Sequence, residues 1–188
     1  MMDLDNRIKT FEGLATSWID REGLSDLLDM LRKTDFYYAP ASTKYHESYE
    51  GGLVEHSLNV FDQLWGDVWE TDISKESITI VALFHDICKI GFYKESTRNT
   101  KDDKGKWIQV PYYEIDDKLP LGHSEKSIIM LQQYMKLTDD EIFAINSHMG
   151  GFDKRAGGFD DIIGKTFVIC PLAVYLHIAD MKATYLKG

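Results

Sequence analysis

Six side chains in this 188-residue chain are of the types that hold divalent transition metals: His56, His85, Asp86, His123, His148 and Asp180. A neutral imidazole offers one nitrogen to an ion, whereas an aspartate has two oxygens and can bridge two ions. A donor set this rich in nitrogen suits Mn, Fe, Co, Ni or Zn and disfavours Mg and Ca. The six are separated by 29, 1, 37, 25 and 32 positions. Gaps so long are not diagnostic in the way a compact zinc-finger spacing is, and the local contexts say more. In "VALFHDICKIG", His85 and Asp86 sit inside an apolar, helix-like run. A carboxylate buried there costs several kcal/mol unless a cation of the chain, a metal ion or water compensates it. Asp180, in "VYLHIADMKA", has the same problem. Adjacent helical positions point about 100° apart, so His85 and Asp86 share a centre only if it lies between them. Each histidine taken singly reads as a capping or hydrogen-bonded residue; together with the two aspartates they leave a shared metal site open.

These residues need elements to position them. "LDNRIKTFEGLATSWID" and "LSDLLDMLRK" carry apolar residues at helical spacing, and the periodicity predicts two N-terminal helices. "YYAPASTKYHESYEGG" is a turn-rich connection, and "LVEHSLNVFDQLWGDVW" is the next helix, with His56 in its first turns. Ser74 is placed to cap the helix that carries His85 and Asp86. Residues 93–117 break the pattern: "DDKG" signals a turn and "KWIQVPYYEI" is rich in β-formers, predicting a hairpin near residues 95–115, with Pro111 on an edge strand. Helices resume at "GHSEKSIIMLQQYMK", which His123 opens, and at "TDDEIFAINSHM", which a Thr138–Glu141 capping box begins and His148 ends. "GGFDKRAGGFDD" is a glycine-rich loop, and Pro171 suits the first turn of the last helix, "PLAVYLHIADMKATYLK". The expected fold is mainly α with one inserted hairpin. A single domain is expected over 1–188, with the helices of 1–40 packed on a 41–188 core.

The composition narrows the function. With 31 acidic and 21 basic residues the formal charge is −10, which disfavours nonspecific binding of long nucleic acid. A small phosphorylated substrate stays compatible, because a metal ion reverses the field locally. Cys88 and Cys170 lie in apolar runs and are expected as buried free thiols. The N-terminal stretch lacks the apolar core of a signal peptide, and "FVICPLAVYL" is about half a membrane span. A cytoplasmic location is the expectation.

The motifs "GGLVEHSLNV", "LFHDICKIG", "GHSEKS", "SHMGG" and "LHIADMKATYL", in that order, resemble the HD-domain superfamily of metal-dependent phosphohydrolases. The resemblance runs from about residue 40 to the C-terminus. "HESYEGGLVEH" is particularly similar to the HD domain of bacterial 3′–5′ exoribonucleases of the YhaM type, without their nucleic-acid-binding OB domain. The resemblance implies an HD-type helical bundle and a first metal held by His56, His85, Asp86 and Asp180. His123 and His148 match members that hold a second ion, with Asp86 bridging. Two divalent transition ions, Fe or Mn or else Zn, Ni or Co, are the implied cofactors. Cys88 stands where relatives usually have glycine, and no "GYP" tripeptide occurs, which argues against a cyclic-di-GMP phosphodiesterase of the HD-GYP type.

The chemistry implied is metal-assisted hydrolysis of a nucleotide or other small phosphoester. Lys89, three residues after Asp86, is a candidate cation for the reacting phosphoryl group, or else a solvated surface lysine. Lys154 and Arg155 could grip a substrate phosphate, or belong to an ordinary surface loop. His46 could contact substrate or a metal-bound water, and His177 reads as a core histidine. Trp107, Tyr112 and Tyr113 could stack on a base, with packing against the helices the plainer role. Two further classes share the ligand set: HD-type di-iron oxygenases, and a nonenzymatic sensor or binding module that keeps its metals for structure.

Overall fold

A computed structural model describes residues 2–43, 47–153, 156 and 161–186. Among these residues the chain forms eight α-helices, two short 3-10 turns and one two-stranded antiparallel sheet, so the expected mainly-α fold with one hairpin is what the chain adopts. The first two helices, α1 (Leu4–Trp18) and α2 (Leu24–Lys33), bury Phe11 and Ala15, and Leu24, Leu27, Leu28 and Leu31. Asp3 caps α1 by accepting from the Asn6 N–H at 2.9 Å, satisfying one of the four donors a helix start leaves open.

At the centre is α4 (Lys75–Phe84), on which every residue from Ile78 to Phe84 is buried. It packs against α1 and against α3 (Gly52–Val68). A helix enclosed on all sides needs no polar stripe, hence the uninterrupted run "ITIVALF". Phe84 meets Phe11 edge to face at 5.5 Å, and Phe11 meets Phe36 at 5.3 Å and Tyr37 at 5.7 Å. Each such side chain stabilises the fold by about 1.5–3 kcal/mol through burial alone. Ser74 caps α4 as expected, accepting from the Ser77 N–H.

The hairpin pairs β1 (Tyr93–Lys101) with β2 (Trp107–Ile115), from Tyr93 opposite Ile115 to Lys101 opposite Trp107. It starts two residues before the expected span. At its turn the Asp102 carboxylate accepts from the N–H groups of Lys104 and Lys106. Trp107 does not pack against the helices: it is 65% exposed near the hairpin tip, with the Lys101 ammonium over its ring. The last helices are α5 (His123–Gln132), α6 (Asp139–Ser147), α7 (Ile162–Ile169) and α8 (Pro171–Tyr185). The Thr138–Glu141 capping box forms, and Pro171 occupies the first turn of α8. Helix α7 was not expected. Its start is capped by Asp161, which accepts from the Gly164 N–H; Ile163 is buried while Val168 and Ile169 point to solvent, so its apolar residues are not confined to a buried face. Cys88 and Cys170 are buried and free. Among the described residues no single helix is long and apolar enough to cross a membrane.

Candidate metal centre

The sequence places Asp86 in mid-helix, but α4 stops at Phe84. His85 keeps helical dihedrals, and Asp86 turns off at φ −105°, ψ 17° into a 3-10 turn over Ile87–Lys89. This break replaces the helical 100° geometry and turns both side chains towards one centre. Asp86 is buried, and its two oxygens face different partners. Oδ1 lies 2.6 Å from His123 Nε2 and 3.7 Å from His148 Nε2. Oδ2 lies 3.6 Å from His85 Nε2, 3.8 Å from His56 Nε2 and 2.6 Å from the Lys89 ammonium. Asp180, from α8, completes the second group with Oδ1 at 3.1 Å from His56 Nε2. The six side chains singled out in the sequence thus come together from α3, the end of α4, α5, α6 and α8.

Two of the histidines are held in a defined tautomer. His85 Nδ1 is 3.0 Å from the Ala82 carbonyl and His148 Nδ1 is 2.7 Å from the Ile145 carbonyl. A carbonyl only accepts, so each Nδ1 carries the proton and each Nε2 presents its lone pair. Both carbonyls belong to the last turn of a helix, where the backbone leaves acceptors open. The two Nε2 atoms are buried and have no hydrogen-bond partner. Buried polar atoms are rarely left so, whereas an imidazole with Nδ1–H on a carbonyl and Nε2 bare is how a metal-binding histidine is held. His56, His85 and Asp86 form one group close enough for an ion, Asp86, His123 and His148 a second, and His85, His148 and Asp180 a third that links them.

Charge is divided unevenly over the cluster. Burial lowers the pKa of His148 to about 3, reinforced by His85, and burial likewise lowers that of His85. For His123 burial also opposes the charged form, but Asp86 and Cys88 outweigh it and raise the pKa to about 10. Burial works against ionising Asp86 and Asp180 too. Lys89, His85 and His123 nevertheless hold Asp86 well below the usual carboxylate range, and His56, His85 and His148 do so for Asp180.

Lys89 is not a solvated surface residue. It is buried, and its ammonium donates to Asp86 Oδ2 and to the Ala41 carbonyl, each at 2.6 Å. The Tyr93 hydroxyl donates to the same carbonyl at 3.3 Å. His177 is half-buried; its Nδ1–H donates to the His148 carbonyl at 2.7 Å and its ring stacks on Phe167. The candidates His46, Lys154 and Arg155 lie outside the described residues. Glu47 escaped the sequence reading. Its carboxylate is buried, accepts from the Asn59 amide and comes within 3.8 Å of His56 Nδ1, on a backbone held at φ 40°. The glycine pair at the start of α3 was the available signal: a β-carbon on Gly52 would fall 1.9 Å from the Glu47 carbonyl oxygen. A cavity of about 620 Å³ opens onto Asp86, Lys89, His123 and His148, with Tyr93 and Ile115 of the hairpin on its wall.

No family model and no solved structure matches the chain. A curated protein, dihydroneopterin 2′,3′-cyclic phosphate phosphodiesterase of Methanocaldococcus jannaschii, is 37% identical over 57 residues, covering 27% of this chain and 23% of that protein. The chain therefore matches about a quarter of that relative's length. This likeness to a phosphodiesterase supports a phosphoester hydrolase, and the buried histidine–aspartate groups are suited to metal binding.

Proposed function

We propose that the chain is an HD-type metal-dependent phosphohydrolase acting on a nucleotide or another small phosphoester or phosphodiester. The observation that carries this reading is the division of Asp86, one oxygen towards His123 and His148 and the other towards His56 and His85, with the buried Nε2 atoms of His85 and His148 left without a hydrogen-bond partner. In this reading His56, His85, Asp86 and Asp180 hold one divalent ion, and Asp86, His123 and His148 a second. Fe or Mn fits the donors, with Zn, Ni or Co as the other choices. Bound ions at such a centre lower the pKa of water and polarise phosphoryl oxygens. The chain's own part is to fix the donors and present the substrate. Lys89 spends two of its three donors on Asp86 and Ala41, leaving one for a phosphoryl oxygen. The phosphodiesterase relative favours hydrolysis over an oxygenase, and the acidic charge favours a small substrate over long nucleic acid.

The test combines metal analysis with an activity screen. The purified protein should carry transition metal, seen as anomalous scattering at Asp86, and hydrolyse cyclic phosphodiesters with Mn or Fe while consuming no O₂. Asp86→Ala should remove both metal and turnover. Full metal content and activity in Asp86→Ala would overturn the reading, and substrate-dependent O₂ consumption would move it to an oxygenase.

A further inference from the structure

A second cleft, of about 450 Å³, lies between the hairpin and the connection before α3. Tyr49 and Glu50 line it on one side, and Glu95, Tyr112 and Tyr113 on the other. We propose that this cleft takes the ring of the substrate and selects a 2-amino-4-oxopyrimidine edge, the edge that guanine and pterins share; the proposal rests on the phosphohydrolase reading.

Strand register ties the cleft to the metal centre. Side chains two apart on a strand share a face, so Tyr93 and Glu95 point the same way on β1, opposite Ile115 and Tyr113 of β2. Tyr93 and Ile115 line the metal-centre cavity, Glu95 and Tyr113 line the cleft, and Thr43 lines both. The cleft therefore begins one rung further along a single hairpin face, roughly 7 Å away. That is a distance a sugar or short polyol linker bridges between a phosphoryl group and a ring.

The lining selects the chemistry. Tyrosine faces stack on flat heterocycles of any kind, so selectivity has to come from the polar groups. Glu50 and Glu95 line the cleft together with Tyr113. Ionised carboxylates only accept hydrogen bonds, so the ligand edge must donate. They also repel phosphate, which directs the phosphoester to the metal centre. Among the described residues that line the cleft, the cation is Arg98, which lies over the Tyr112 ring at 5.4 Å. A ring N–H beside an exocyclic amine gives two parallel donors to one carboxylate. Adenine and cytosine place a ring acceptor beside their amine and lose one of the two bonds.

Phosphate-free ligands separate this proposal from the hydrolase reading. Calorimetric titration of the Mn-loaded full chain with guanosine, neopterin, adenosine and cytidine should show at least one of the first two binding about tenfold more tightly than the last two. The comparison of guanosine with neopterin tells nucleoside from pterin. Glu95→Gln should weaken the preferred ligand about tenfold; Tyr113→Ala should weaken it while Tyr113→Phe, which keeps the ring, should not. Equal binding of all four ligands would overturn the proposal. So would unchanged binding in both Glu95→Gln and Tyr113→Ala, with circular dichroism confirming that both fold. Phosphodiester hydrolysis without edge selectivity rejects the cleft alone; edge-selective binding with no hydrolysis of any phosphoester rejects the hydrolase reading alone.

Discussion

Lys89 and Asp86 form a buried pair whose members depend on each other. Removing one partner of such a pair strands the other charge at a cost of about 3–5 kcal/mol. Lys89→Met should therefore destabilise the metal-free protein by about 3 kcal/mol in urea titration, and added Mn should recover part of the loss by supplying positive charge at Asp86. His148 makes a pH-dependent contribution of definite sign. Its folded pKa of about 3 lies below the ordinary imidazole value of 6.5. Between the two the unfolded chain binds a proton that the folded chain refuses, so this contribution is complete above 6.5 and is lost as pH falls towards 3. At about pH 5 the loss is about 2 kcal/mol. Urea titrations near pH 7.5 and pH 5 should show that extra loss in the metal-free wild type and not in His148→Asn; equal losses would show that His148 is not held neutral. The histidines and aspartates were legible in the sequence as polar residues set in apolar runs. The burial of Lys89 was not, because its second acceptor, the Ala41 carbonyl, lies 48 positions away and has no side-chain signature.

Among the elements, the turn after α6 controls how closely α8 approaches the cluster. Gly150 has φ 52°, and a β-carbon there would fall 2.3 Å from the His177 ring, the ring that donates to the His148 carbonyl. Gly150→Ala should cost about 2 kcal/mol from the left-handed backbone and the displaced ring together, measurable by chemical denaturation; a cost under about 0.5 kcal/mol would mean that the turn relaxes freely. Most helices were legible because caps and periodicity agree, as at Ser74 and at the Thr138–Glu141 box. Helix α7 was not, because its outward Val168 and Ile169 merge with the apolar start of α8 into one run. The end of α4 was hidden for a related reason: the residues on either side of the break are all buried, so the hydrophobic pattern runs through it.

At the scale of the whole molecule, Arg21 joins three parts of the chain. From the connection between α1 and α2 it reaches Glu76 on α4 at 2.8 Å and Glu141 on α6 at 2.7 Å. Glu141 is wholly buried and also accepts from Ser77 and from the Thr138 N–H. Arg21→Ala leaves that carboxylate without its cation and should cost about 3 kcal/mol. The network is separate from the metal cluster, so metal bound per folded molecule should stay unchanged; a loss of metal at unchanged stability would contradict this assignment. The convergence on Asp86 has a further consequence for the chain as a polymer. The side chains of the cluster range from His56 to Asp180 along the chain, so ions held there close long loops of chain at one place. Loops that are tied in the folded protein and open in the unfolded one carry an entropy cost that grows slowly with their length. Ions at this centre would act as a detachable cross-link, and chelation would loosen α3, α5, α6 and α8 together rather than one at a time.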